Sequence, residues 1–204
     1  MKKFLIICCV IFCGALLLFV PEKNYQQEIS DKILRFHVVA NSNSMEDQRL
    51  KLMVRDRIGE FLQEPLSLCR SLKDSEETVK ALLPQIQAVA GEYVESLGYD
   101  YPIRVYLKNG YFPEKTYGGM TFPRGYYDAL TVHIGSGCGR NWWCVLFPNL
   151  CFTDAVTAKV PEESAQLLKD ELQEDTYDAL FQGEKVQLRF KFGEILQDLF
   201  MNFG

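Results

Sequence analysis

The chain has 204 residues, 48% of them hydrophobic and 24% charged, which is enough apolar material for one sizeable core and an ordinary share of charge for a globular domain. Its formal net charge of -5 comes without a basic stripe, which argues against nucleic acid as a partner and against general adhesion to anionic lipid. No Cys/His spacing completes a four-ligand zinc site and no strand-glycine-helix turn offers a phosphate cradle, so neither a metal nor another cofactor is expected.

Met1-Lys-Lys leads into residues 4–20, an uncharged apolar run closed by Pro21-Glu-Lys, which has the form of a secretory signal or a short membrane anchor. Residues 1–20 are therefore read as signal peptide or anchor, and residues 21–32 as a polar linker or short helix. No small-x-small site precedes Pro21, and Phe12 stands before Cys13 where a lipoprotein signal wants a small residue. Cys8, Cys9 and Cys13 fall inside the apolar run, which leaves Cys69, Cys138, Cys144 and Cys151 for the folded part.

Residues 33–40 (Ile-Leu-Arg-Phe-His-Val-Val-Ala) predict the first strand. Ser44 followed by Asp47 resembles a capping box and opens a helix with the apolar stripe Leu50, Met53, Val54, Ile58 and Phe61, opposite Lys51, Arg55 and Asp56. Asp74 with Glu77 predicts the cap of a second helix carrying Val79, Leu82, Leu83, Ile86, Ala90, Tyr93 and Leu97, which Gly98 ends and Pro84 should kink or split. Strands are expected over 103–107, 115–122 and 129–134, with Asn109-Gly110 as the strongest hairpin signal and Pro123-Arg124-Gly125 as the second turn. Helices follow over 162–172 and 176–181, and a last helix is expected over 186–200, although its first half alternates like a strand. The sum is a single α+β domain over residues 33–204, with a small mixed or antiparallel sheet of about four strands packed by helices.

The run Gly135-Ser-Gly-Cys-Gly-Arg-Asn-Trp-Trp-Cys joins a glycine loop to both tryptophans of the chain. On an extended backbone Trp142 and Trp143 point to opposite faces, so one is expected outside as an anchor for a partner, unless both lie under the tail helices. Asn141, Trp142 and Trp143 are the first candidates for partner contact, with Tyr117, Arg124 and His37 behind them. Cys144 and Cys151 are either a disulfide closed by a Pro148-Asn149 turn, which needs Cα atoms within roughly 4.4 to 6.8 Å, or two buried thiols. An exported thiol-dependent hydrolase using Cys144 with His133 or His37 is the alternative, but Val-Leu-Phe after Cys144 would desolvate the thiol and no oxyanion donor loop is evident. The carboxylates of Glu46, Asp47 and Asp56 are accounted for by capping and by a solvated helix face.

His37-Val-Val-Ala-Asn-Ser-Asn-Ser44, with Glu46-Asp-Gln48 and residues 51–56 behind it, resembles the stage II sporulation protein R family. The resemblance returns at Tyr117-Gly118, at Phe122-Pro-x-Gly125-x-Tyr127-x-Ala-Leu130, and above all along Ile134-Gly-x-Gly-x-Gly139-x-Asn141-Trp-Trp-Cys-Val-Leu-Phe-Pro-x-Leu-Cys-Phe152. The chain departs from the family pattern at Asn43, Cys138 and Arg140. What the resemblance implies is a protein that is not an enzyme, made in the forespore and exported into the space between the two membranes. There it is expected to activate by contact a membrane-bound aspartic protease of the mother-cell membrane, which cuts a pro-sigma factor.

Overall fold

An apolar strand can bury both faces only if something covers each of them, and that requirement organises this fold. In the computed structural model, which describes residues 25–151 and 160–182, the first apolar run forms β1 (Leu34–Val39) after a short helix α1 (Tyr25–Ser30). Two long helices follow, α2 (Met45–Ser67) and α3 (Leu72–Ser96). Then come β2 (Ile103–Phe112), the short pair β3 (Lys115–Tyr117) and β4 (Met120–Phe122), β5 (Gly125–Ile134), β6 (Asn141–Phe147), α4 (Glu162–Glu171) and α5 (Glu174–Gln182). The expected membrane segment and the expected helix over 186–200 lie outside the described residues. Among the described residues no helix is long and apolar enough to cross a membrane.

The main sheet is mixed, in the order β2-β5-β1-β6, with β1 parallel to β5 and antiparallel to β6, and β2 antiparallel to β5. Because side chains alternate across a strand, β1 feeds two cores. Leu34, Phe36 and Val38 join Leu50, Val54, Ile58 and Leu62 of α2 and Val79, Ile86, Ala90 and Val94 of α3 on one face. The opposite face is covered over part of its length by α1, the β3–β4 hairpin, α4 and α5, through Ile29, Met120, Phe122, Leu168, Leu172 and Leu180. The fold class expected from the sequence is thus found, with four strands in the main sheet.

Local chemistry sets most of the boundaries. Ser44 caps α2 by accepting from the Asp47 amide (3.1 Å), as its spacing predicts. At α3 the cap is Ser71, whose Oγ accepts from the Asp74 amide, so Asp74 is the third helical residue and not the cap. Pro84 does not split α3: it lies on the exposed side, where the carbonyl that a proline leaves unpaired can face solvent, and the buried positions on either side hold the helix together. Of the two readings of residues 21–32, linker or short helix, the described part forms the short helix α1, and it packs onto the domain. Ile29 and Ile33 are buried in the second core, Gln26 donates to the Tyr126 carbonyl, and Glu28 accepts from the Gln173 amide and the Thr176 hydroxyl at the start of α5.

The expected hairpin at Asn109-Gly110 is absent. β2 runs straight through it, pairing Asn109 with Asp128 and Gly110 with Tyr127, and the Asn109 amide donates across the ladder to Asp128 Oδ1 (3.1 Å). The tight turn is instead Gly118-Gly119, with φ of 52° and 89°, the two left-handed residues in sequence that a two-residue hairpin loop favours.

Arg35 is the unexpected member of the second core. It is fully buried, its guanidinium carbon 4.7 Å from the Phe112 ring centre and 5.1 Å from that of Tyr127, with Phe122 and Tyr117 slightly farther. Nη2 makes a long contact of 3.5 Å with the Tyr117 hydroxyl, Nε and Nη1 have no partner, and no carboxylate among the described residues pairs with it. Ring faces attract the cation, but they do not restore its lost hydration in full, and burial lowers its pKa. We expect Arg35→Met, which keeps the volume and removes the charge, to leave stability unchanged or to raise it by about 1–4 kcal/mol in urea denaturation. A loss beyond about 2 kcal/mol would show that the guanidinium has a compensating interaction that the rings alone do not supply.

Candidate partner-binding surface

The glycine loop before β6 is clasped to the loop that follows β1. Asn41 Oδ1 accepts from the Ser136 amide (2.9 Å), the Asn41 carbonyl accepts from the Ser136 hydroxyl (2.6 Å) and the Cys138 amide (3.2 Å), and the Ala40 carbonyl accepts from the Gly139 amide (2.8 Å). Asn43 Oδ1 accepts from the Arg140 amide (2.8 Å), and Lys51 donates to the Arg140 carbonyl (3.0 Å). A side chain at Gly139 would collide with the Ser42 carbonyl, and one at Gly135, where φ is 58°, with the Asn41 amide. These glycines therefore permit close approach between two loops and do not loosen a flexible one. Lys51, expected on a solvated face, is buried beneath this clasp.

Asp47 anchors the clasp from below. Burial opposes its charge, but hydrogen bonds from Ser42, Asn41, Tyr101 and Ser44 outweigh that and hold the carboxyl below its ordinary pKa. The Asn41 amide donates to it at 3.0 Å.

Beyond the clasp, β6 carries the two tryptophans on opposite faces of the sheet. Trp142 lies on the helix side, edge-on to Phe36 at 5.6 Å and beneath the Arg55 guanidinium at 5.0 Å. Trp143 lies on the other side, stacked on His37 with ring centres 3.8 Å apart and planes 13° from parallel, and edge-on to Phe112 at 4.7 Å. Both are half-buried, so the expected split into one core and one exposed tryptophan is replaced by two partly covered rings. The alternation itself is as expected; the second covered face is what changes the outcome.

The cover on Trp143's face stops short. Strand register sets Tyr106, Thr131, His37 and Trp143 in one row across the sheet, and Arg104, His133, Val39 and Asn141 in the next. Tyr106, Arg104 and Asn141 are exposed, while His37, His133 and Trp143 are half-buried. Asn141, His37 and Trp143 thus meet at the open end of this face, where the nearby Asn141 side chain favours the charged imidazole and His37 Nε2 is buried with no hydrogen-bond partner among the described residues. Tyr117 joins them from the hairpin by donating its hydroxyl to the Trp143 carbonyl (2.8 Å). Trp142 does not join them, and Arg124 is exposed in the β4–β5 turn at the opposite end of β5.

A family model, stage II sporulation protein R, matches residues 30–157 of this chain. Stage II sporulation protein R of Bacillus subtilis (strain 168) is 33% identical over 223 residues, covering 98% of this chain and the whole of the relative. The chain belongs to the stage II sporulation protein R family. No solved structure matches it. Of the motifs on which the resemblance rests, residues 37–44 and 134–151 lie on the two sides of the clasp.

The alternative catalytic pair is not assembled. Cys144 faces the helices with Phe36, whereas His133 and His37 face the other side of the sheet. Cys69, Cys138, Cys144 and Cys151 are free thiols. The Pro148-Asn149 turn does return Cys151 to Cys144, and both thiols donate to the Val145 carbonyl, at 2.8 and 3.6 Å. Burial and a hydrogen bond with Cys144 push the Cys151 thiol well up, the reverse of what a nucleophile needs. Among the described residues no cluster of three metal-ligating side chains occurs. The residues missed in the sequence are Asn41, a side chain acting as a piece of backbone ladder, and Arg35 and Tyr106, whose shared face with His133 depends on register.

Two measurements test this construction. Asn41→Ala removes bonds to the Ser136 amide and to Asp47, and should cost about 2–3 kcal/mol in urea unfolding; a loss under about 0.5 kcal/mol would sink the clasp. His37 is held to a pKa of about 4, first by burial and then by the nearby charges of His133 and Lys108, which outweigh the opposing influence of the Asn141 side chain. Below about pH 6.5 the unfolded chain takes up this proton before the folded one does, so stability is full above that pH and falls towards pH 4. Wild type should lose on the order of 2 kcal/mol more than His37→Gln between pH 7 and 4.5, and equal losses would contradict the assignment.

Proposed function

We propose that the chain, whose family membership supports a role in sporulation, is an exported signal that activates, by direct contact, a membrane-bound aspartic protease processing a pro-sigma factor, with residues 1–20 directing export into the intermembrane space or anchoring it there. The reading of the chain as a ligand and not a hydrolase is supported by Cys144 and the histidines facing opposite sides of the sheet. The observation that carries the contact surface is the group formed by Trp143, His37 and Asn141 at the uncovered end of a sheet otherwise covered on both faces.

Activation of this kind is a matter of differential affinity. A ligand that binds the inactive and active protease equally shifts nothing, and moving a 1:99 population to 99:1 takes about 5.5 kcal/mol of preference. A partly preordered aromatic anchor suits that demand, because stacking on His37 has already restricted the Trp143 ring before the partner arrives.

The test is co-expression of this chain, the protease and its pro-sigma substrate in a host lacking all three, with processing read on a gel. Processing should depend on this chain and survive Cys144→Ser. It should fall at least about tenfold with Asn141→Ala or Trp143→Ala. Asn141→Ala is the cleaner of the two, since its side chain is exposed and its melting temperature should change by no more than about 2 °C. No processing with a folded, exported chain would overturn the proposed function, whereas full processing with both surface variants would overturn only the surface.

A further inference from the structure

The two edges of the main sheet are unlike each other. β6 has its outer carbonyls taken at two positions: Tyr117 donates to the Trp143 carbonyl, and the Val145 carbonyl receives the Leu150 amide and the Cys151 thiol. β2 is longer, ten residues against seven, and among the described residues no strand pairs with its outer side. The Val105 amide points away from β5, since it is met from α3 by Gln87 Oε1 at 3.4 Å. By the two-residue period of a strand, the backbone groups of Leu107, Asn109 and Tyr111 point the same way, and among the described residues they have no hydrogen-bond partner. Such an edge is a template for another strand.

The side chains state which strand. On the helix side of the edge lie Val105 and Leu107, half-buried and apolar. On the other side lie Arg104, Tyr106 and Lys108, all exposed, with Lys108 5.3 Å over the Tyr106 ring. Arg104 donates to the Gly135 carbonyl, and neither cation is ion-paired among the described residues. Their field is felt locally: together with burial, both lower the pKa of His133, and Lys108 lowers that of His37. In a chain of net charge -5 this is a local basic row on an open edge. In the register centred on Tyr106 a second copy of β2 is a poor occupant, because antiparallel self-pairing there sets Arg104 of one copy against Lys108 of the other, and like charges directly opposite are destabilising.

We infer that the outer edge of β2 is a docking site for an extended acidic segment of a partner protein, which adds to the sheet as an outer strand. Its apolar side chains cover Val105 and Leu107 on the helix side, and its carboxylates meet Arg104 and Lys108 on the other. The inference goes beyond the activation proposed above and stands whichever protein supplies the strand.

The test uses the full-length chain in a neutral detergent and a short fluorescein-labelled peptide that alternates valine with glutamate, alongside the same peptide with lysine in place of glutamate. Fluorescence anisotropy should show saturable binding of the acidic peptide, at least about tenfold tighter than the basic one. Arg104→Glu with Lys108→Glu should reverse that preference, and N-methylation of the peptide's edge-facing amides should abolish binding. Amide exchange followed by NMR gives a second reading on the unaltered protein: Leu107, Asn109 and Tyr111 should slow at saturating acidic peptide. Equal binding of the two peptides, absence of saturable binding, indifference to N-methylation, or unchanged exchange at those amides would each overturn the inference. So would a dimer that dissociates on charge reversal, since it would assign the edge to a second copy.

Discussion

Two-sided burial of β1 is the constraint from which the rest of the structure follows. A strand paired on both edges has no solvent-facing side unless the sheet leaves one, so every alternate residue of β1 needs a neighbour on its own face. Leu34, Phe36 and Val38 obtain theirs from two long amphipathic helices that the chain supplies immediately afterwards. Arg35, His37 and Val39 must be covered by elements that come later or from before the strand: the hairpin, the tail helices and α1. The polar character of Arg35 and His37 then dictates that this second cover be rich in aromatic rings. A ring presents its negative face to a cation and can stack on an imidazole or meet it edge-on, and among the described residues no carboxylate is there to do either task.

The clasp between Asn41 and the glycine loop converts that strand arrangement into a surface of fixed shape. β6 can lie beside β1 in register only if the loop leading into it passes close to the loop leaving β1. The approach is so tight that Gly135 and Gly139 leave no room for a side chain. Asn41 and Asn43 supply acceptors where no strand exists, Lys51 and Gln48 close the loop from α2, and Asp47 holds Asn41 in place. Asn141 and Trp143 begin β6 directly after this anchor, so their positions are inherited from it.

Much of this was legible in the sequence, and the failures have particular causes. The long helices, the Ser44 cap, the first strand and the alternation of the tryptophans could be read because each is local: period, capping chemistry and the pleat act within a few residues. Asn109-Gly110 misled because a turn dipeptide reports what the backbone tolerates, and the ten-residue ladder with β5 outweighs that tolerance when Asp128 satisfies the Asn109 amide across the strand. Gly118-Gly119 was passed over although it carries the same chemistry. Pro84 was read by the interior rule, whereas what decides is the side of the helix on which it falls. The clasp of the glycine run was not legible because its hydrogen-bond partners lie about a hundred residues earlier, which no local pattern can show. Arg35 and His37 were the missed signal for the second face, since two polar residues at alternate positions in an apolar strand already imply that the two sides differ.

The two surfaces proposed for partners are not separate in space. Tyr106 on β2 and Trp143 on β6 are the ends of a single cross-strand row that passes through Thr131 and His37, and Arg104 and Asn141 end the row beside it. A segment added along β2 would therefore lie flush with the face that presents Trp143, and a partner that contributes it could cover both without bending the sheet. The charges divide the work along that row. His37 is held neutral at physiological pH, so the stacked tryptophan end offers apolar area without a charge to desolvate, while the cations sit at the solvated β2 edge. Charge at a rim speeds encounter and selects partners, and apolar area at a drier centre holds them, so for a partner bound as proposed the gradient from β2 to β6 would order approach before capture.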